Sequence, residues 1–196
     1  MDGLFFVWCS WIIVIYLFFF ADKSKKSILV HVLVLLFMSQ FILQLDSWTV
    51  NSACVYLFVI ASLSIARRRS EERIRIYLTS FIVAILQGSY VLFCILEPLW
   101  FLQIPSWVIY FLLVYVCTLC IRKNANRILS LIMGKIISDI LLFAVHLQNN
   151  LQYEYLQLAW FDQLAMICMF LLFWSIMEST GKFVFNHTRH TQKKEV

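Results

Sequence analysis

The sequence predicts an all-α fold, a polytopic transmembrane bundle of seven helices with the N-terminus outside and the C-terminus cytoplasmic. Three observations carry that prediction. First, 62% of the 196 residues are hydrophobic and only 14% are charged, against roughly 45–50% and about 25% in an average soluble domain. Second, seven apolar stretches approach the roughly 20 residues needed to cross a hydrocarbon core about 30 Å thick. Third, Lys and Arg fall in alternate connections between those stretches, and short loops rich in Lys and Arg stay cytoplasmic. This composition excludes a water-soluble enzyme, a disordered chain and a secreted disulfide scaffold.

The predicted spans cover about 3–21, 28–45, 50–66, 76–96, 105–121, 128–147 and 160–177 within one membrane domain, 1–180, followed by a basic tail, 181–196. The first span resembles a signal peptide only in position. Asp2 replaces a basic leader, the apolar run is long, and no small-x-small cleavage site precedes Asp22, so a retained helix is expected. The second span carries His31 near its cytoplasmic end and Ser39, Gln40 and Gln44 near its outer end. The third and fifth spans are the shortest, and Pro105 fits the first turn of the fifth, where its missing N–H is harmless. Pro98-Leu99-Trp100-Phe101 reads as an interfacial turn. The fourth span holds Gln87-Gly88-Ser89, and Gly88 allows a close helix approach.

Placing the charges fixes the expected orientation. The first connection holds Lys23, Lys25 and Lys26, and the third holds Arg67, Arg68, Arg69, Arg73 and Arg75. The fifth has Arg122, Lys123 and Arg127, and the tail has Lys182, Arg189, Lys193 and Lys194. Of the 16 basic residues only Lys135 lies elsewhere, while the opposite side carries Asp2, Asp46, Glu97, Glu154 and Asp162. Removing one span would break the alternation. Trp48, Trp100, Trp107 and Trp160 sit near the predicted outer boundaries, as amphipathic indoles do.

The sixth span is the candidate functional element. Gly134-Lys135-Ile136-Ile137-Ser138-Asp139 continues to His146, and Asp139 lies about 11 residues, roughly 16 Å, above the cytoplasmic end of its span. On a helical wheel Asp139 is about 40° from Lys135, and His146 about 20° from Asp139, so Lys135, Ser138, Asp139, His146 and Asn149 lie along one polar side. A functional reading makes this a proton or ion path or a headgroup site. The plainer reading is an i,i+4 Lys135–Asp139 pair inside the bundle. Gln40, Gln44 and Gln87 are the polar groups expected to face it, either as site residues or as interhelical hydrogen bonds. Asp162 and Glu178 are expected near the two interfaces.

The six cysteines all fall within spans. Cys117-x-x-Cys120 has redox spacing without a redox setting, and a Cys54–Cys94 bridge is conceivable. No HExxH, GxSxG, Walker A loop or paired acidic metal motif is present, so no catalytic set, cofactor or metal is expected. The basic connections suit anionic headgroups, although topology alone explains them. The layout resembles that of the SWEET sugar transporters but lacks their proline motifs, and the scarcity of Gly and Pro argues against broken transport helices.

The opening Met1-Asp2-Gly3-Leu4-Phe5-Phe6-Val7-Trp8-Cys9-Ser10-Trp11, the basic third connection, Glu97-Pro98-Leu99-Trp100 and the Gly134–Asp139 segment together resemble the YphA-type small membrane proteins of spore-forming bacilli. The resemblance implies a multi-pass protein of the bacterial plasma membrane that contributes to spore envelope assembly during sporulation. It assigns no catalytic residue. The expected partners are the lipid bilayer and other membrane or sporulation proteins, not nucleic acid. The alternative is a small transporter or lipid-binding protein using the Lys135/Asp139 face.

Overall fold

The computed structural model describes residues 3–20, 26–45, 48–97, 105–149 and 158–192. The expected Pro98–Phe101 turn, Lys23, Lys25, Asp46 and Glu154 lie outside them, as do the side chains of Gln44, Trp48, His146, Lys182 and Arg189. The described residues form seven α-helices and one β-hairpin: α1 (Leu4–Phe20), α2 (Lys26–Met38), β1 (Ile42–Leu45), β2 (Trp48–Asn51), α3 (Ser52–Ala66), α4 (Ser70–Leu96), α5 (Trp107–Cys120), α6 (Asn124–Asn149) and α7 (Leu158–Gln192). Each predicted stretch overlaps one of these helices, and α4, α6 and α7 extend beyond the predicted bounds, α7 through Gln192. Three segments, Ser70–Leu96, Asn124–Val145 and Leu158–Gly181, are long and apolar enough to cross a membrane by themselves. The shorter α1, α2, α3 and α5 are apolar helices of 10–17 residues.

The hairpin corrects the second span. The sequence predicts helix through Leu45, whereas α2 stops at Met38 and Ile42–Leu45 pairs antiparallel with Trp48–Asn51, Gln44 opposite Thr49. Short apolar runs fit strand and helix equally well, and here capping decides. Ser39 Oγ donates to Leu36 O at 2.7 Å, Ser52 Oγ to Met38 O at 2.6 Å, and Asn51 Nδ2 to Ser39 O at 2.8 Å. Asn51 Oδ1 also accepts from Ala53 N at 3.0 Å and so caps α3. One asparagine therefore closes the end of one helix and opens the next, where lipid offers backbone groups no partner.

The central packing is between α4 and α6, the most extensively contacting helix pair. Ser80, Ala84 and Gly88 on α4 meet Ser130, Gly134 and Ser138 on α6, two runs of small residues at four-residue spacing. A Cβ added to Gly134 would lie 2.6 Å from Val83 Cγ1 and 2.8 Å from the Ser80 carbonyl oxygen, and one on Gly88 would lie 3.4 Å from Ser138 Oγ. The Ser80 and Thr79 hydroxyls donate to Ile76 O and Arg75 O, one turn back on their own helix. Around this seam α5 and α7 enclose Val83, Leu113, Val114, Leu131, Ile167 and Leu171, while α1, α3 and α7 pack Phe6, Cys54, Ile136, Phe161 and Leu164 on another side of α6. Large apolar side chains such as Trp8, Phe18, Leu78, Phe81, Phe173 and Ile176 point outward, as lipid-facing residues do.

Two polar clamps hold the ends. Asp162 on α7 accepts hydrogen bonds from Gly3 N and Phe6 N, both at 2.7 Å, so its carboxylate satisfies the first turn of α1 from across the chain. Expected only to lie near an interface, Asp162 also joins the N-terminal helix to the last one. At the other end Arg127, expected in a loop, is buried in the first turns of α6. Its guanidinium donates to Ile121 O (2.6 Å), Asn124 Oδ1 (2.8 Å) and Thr118 O (3.4 Å) and pairs with Glu178 at 3.1 Å, tying together α5, α6 and α7. Lys123 pairs with Glu72 at 2.5 Å nearby.

Two stability predictions follow from the seam and the clamp. Gly134→Ala forces a methyl into Val83 and the α4 backbone, and thermal unfolding of the purified protein in detergent should show a loss of about 1–3 kcal/mol. Gly181→Ala, which meets nothing within 4 Å, should be neutral or stabilising by up to about 1 kcal/mol; equal effects would refute the close approach. Arg127→Met should cost on the order of 2 kcal/mol or more by removing the buried donor to the Ile121 and Thr118 carbonyls, whereas Lys123→Met should cost no more than about 1 kcal/mol.

Candidate functional site

The interior polar centre is built on consecutive turns of α6. Lys135, Ser138 and Asp139 are 3%, 0% and 6% exposed, in a helix whose position in the bundle gives them protein neighbours on α3, α4 and α7. Asp139 is ten residues from the C-terminal end of α6, hence about 15 Å along the axis. Lys135 does not close onto Asp139: among the described residues no ion pair joins them. The Lys135 ammonium donates to Gln163 Oε1 on α7 at 2.7 Å and sits 5.4 Å from the centroid of the Trp160 ring. A cation over an indole gains about 2 kcal/mol where water is excluded. The i,i+4 pair expected from spacing is thus replaced by a contact from α6 to α7.

Asp139 has a different environment. Its Oδ2 has no hydrogen-bond partner. The indole of Trp160 lies near enough to interact with the carboxylate, without a hydrogen bond of ordinary geometry, and Trp160 Nε1 is itself unpartnered. The Cys54 thiol, from the first turn of α3, lies close enough to interact electrostatically with both Lys135 and Asp139. On the other flank, Ser138 Oγ and Gln87 Oε1 are buried without partners where α4 meets α6 at Gly88. Four polar atoms on three helices therefore have unmet hydrogen-bonding capacity, Asp139 Oδ2 and Trp160 Nε1 on the side of Lys135 and Ser138 Oγ and Gln87 Oε1 on the α4 flank. Such groups are normally satisfied, and each left unmet costs about 1–3 kcal/mol.

A polar line continues toward the N-terminal end of α6. Asn126, Ser130, Gly134 and Ser138 are spaced by four and lie against α4, where Ser80 Oγ approaches Ser130 Oγ at 3.5 Å and Asn126 Nδ2 donates to Glu72 at 3.4 Å. Asn126 Oδ1 is another buried atom without a partner. Val83, pressed on Gly134, separates the Ser130 level from the Ser138 level.

Of the residues singled out in the sequence, Lys135, Ser138, Asp139 and Gln87 are all buried in the bundle. Gln40 is not: it is exposed in the turn after α2. Gln44 is in β1 rather than four residues along a helix from Gln40, and the side chain of His146 is outside the described residues. Gln163, Trp160 and Cys54 join the site without having been selected as site residues. Gln163 had a signal, since it follows Asp162 on a helix that is otherwise apolar for several turns. Trp160 reads as a boundary indole and Cys54 as a small hydrophobe, and nothing in sequence spacing separates those roles from a place beside Asp139. The conceivable Cys54–Cys94 disulfide does not form, and no cluster of His, Cys, Asp or Glu among the described residues has the arrangement of a metal site.

No curated protein and no solved structure matches the chain. A family model does, described as YphA-like integral membrane protein, and it spans residues 2–196. That match covers the seven helices, the seam and the polar centre together, and on it the chain belongs to the YphA-like integral membrane proteins.

Proposed function

We propose that this is a seven-span protein of the bacterial plasma membrane, N-terminus outside and C-terminus cytoplasmic, acting as a small transporter or lipid-binding protein through the Lys135/Asp139 centre. The observation that carries this reading is the unmet polar capacity of Gln87, Ser138, Asp139 and Trp160 around two ionisable residues inside the bundle. A pair kept only to hold helices together is expected to be satisfied at both ends, and here Lys135 is while Asp139 Oδ2 is not. The span count and orientation rest on the alternation of Lys and Arg and on one apolar helix in each predicted stretch.

The runner-up is an assembly or scaffold protein of the sporulating cell, contributing to the spore envelope without a ligand. It is favoured by the exposed Arg67, Arg69, Arg73, Arg75 and Arg122 beside the α3–α4 and α5–α6 turns, a surface fit for an acidic partner or headgroups.

Complementation of a deletion strain separates the two. With membrane levels matched by blotting, Asp139→Asn should reduce the yield of heat-resistant spores on the order of tenfold or more. Wild-type yield at matched level would overturn the ligand reading and leave the scaffold. For the topology, alkaline phosphatase fused after Val196 should be inactive and the same enzyme inserted after Glu154 active; the reverse pattern would refute the orientation.

A further inference from the structure

We propose that Lys135 and Asp139 hold one exchangeable proton, passed between the amine and the carboxylate by buried water that Ser138, Gln87 and Trp160 bind. The inference rests on the reading of this centre as a ligand site, and it names the ligand as a proton. Size is the first argument. Gln87, Lys135, Ser138 and Asp139 are each less than one-tenth exposed, and a single added Cβ at Gly88 would already reach Ser138 Oγ at 3.4 Å. The close α4–α6 seam favours a partner no larger than water over a bulky solute.

Chemistry is the second argument. The unpartnered atoms are a mixed set: Gln87 Oε1 and Asp139 Oδ2 accept, Trp160 Nε1 donates and Ser138 Oγ does both. An inorganic cation would leave the indole N–H unmet, and an anion would face the carboxylate and the amide oxygen. Water donates and accepts, and buried waters typically make about three hydrogen bonds to groups of this kind.

Charge is the third. Lys135 and Asp139 interact electrostatically but do not touch, and each is desolvated. Two separated ions in a membrane interior forgo the close contact that offsets their desolvation. Moving one proton resolves this. An N–H bond of the ammonium breaks, its electron pair stays on nitrogen, and an O–H bond forms on the carboxylate, leaving a neutral amine and a neutral acid. The amine still has hydrogens to donate to Gln163 Oε1. The titratable or polar groups facing the pair are Cys54 from α3 and Trp160 and Gln163 from α7, while Ser138 and Gln87 lie on the flank of α6 toward α4. Lys135 interacts electrostatically with Asp139 and the Cys54 thiol, and Asp139 with Lys135.

Infrared difference spectroscopy of the full-length protein in lipid nanodiscs, titrated in H2O and D2O, tests this. Wild type should show one carboxylic-acid C=O band that titrates and shifts in D2O. The band should vanish in Asp139→Asn, and its midpoint should move when Lys135→Met removes the other proton carrier. Ser138→Ala keeps both ions and should also move the midpoint while weakening the buried-water O–H bands. This variant decides the matter if Asp139→Asn does not accumulate. Absence of a titrating band lost with Asp139, or a midpoint indifferent to Ser138→Ala, overturns the proposal. A missing band together with an inactive Asp139→Asn would leave the ligand site standing with another ligand. A normal band with a fully active Asp139→Asn would sink the functional reading while the proton site remained.

Discussion

The close approach of α4 to α6 is the constraint on which the rest of the structure depends. Val83 and the Ser80 carbonyl occupy the space that any side chain at position 134 would need. Where lipid tails are as apolar as leucine, helices gain little by hiding apolar surface from one another; they gain by fitting closely, and small residues permit that. Ser80, Ala84 and Gly88 against Ser130, Gly134 and Ser138 form such a fit over two helical turns. The hydroxyls on this seam are tolerated because Ser80 and Thr79 return their protons to carbonyls one turn back.

The polar centre follows from that seam. With Gly134 and Ser138 turned to α4, helical geometry places Lys135 and Asp139 about 100° farther round, toward α3 and α7. There Lys135 finds Gln163 and the face of Trp160, while Asp139 is left beside Trp160 and Cys54 without a hydrogen bond to Oδ2. The seam thus determines where the charges point, and the docking of α7 determines which of them is satisfied. Asp162, one residue before Gln163, holds the first turn of α1, so the element that reaches Lys135 also anchors the start of the chain.

Much of this was legible in the sequence. Long apolar runs locate helices because in lipid every backbone amide must be satisfied within its own segment, and a charge amid such a run must find protein. That reasoning reached all seven helices and placed Lys135, Ser138, Asp139 and Gln87 in one interior. It failed where the answer depends on which residues meet across elements. The spacing of Lys135 and Asp139 suits an ion pair, but Gln163 competes from a helix about thirty residues on. Ile42–Leu45 is as apolar as a helix, and only Ser39, Asn51 and Ser52 together reveal the hairpin. Arg127 looked like a loop charge because its carbonyl partners on α5 are invisible in a linear reading. The Ser130–Gly134–Ser138 spacing was visible, though its partner run on α4 gains meaning only when the two helices are known to lie together.

Buried ions that do not close on each other are a poor means of stabilising a bundle, since apolar residues of similar volume are often neutral or better. The claim that this centre exists for function therefore has a direct measurement: the thermal stability and spore-yield complementation of the chain carrying Lys135→Met, Asp139→Leu and Gln163→Leu together. The account predicts a protein that unfolds at or above the wild-type temperature and fails to restore spore yield. A variant that unfolds far below wild type, or one that restores full yield, would contradict it.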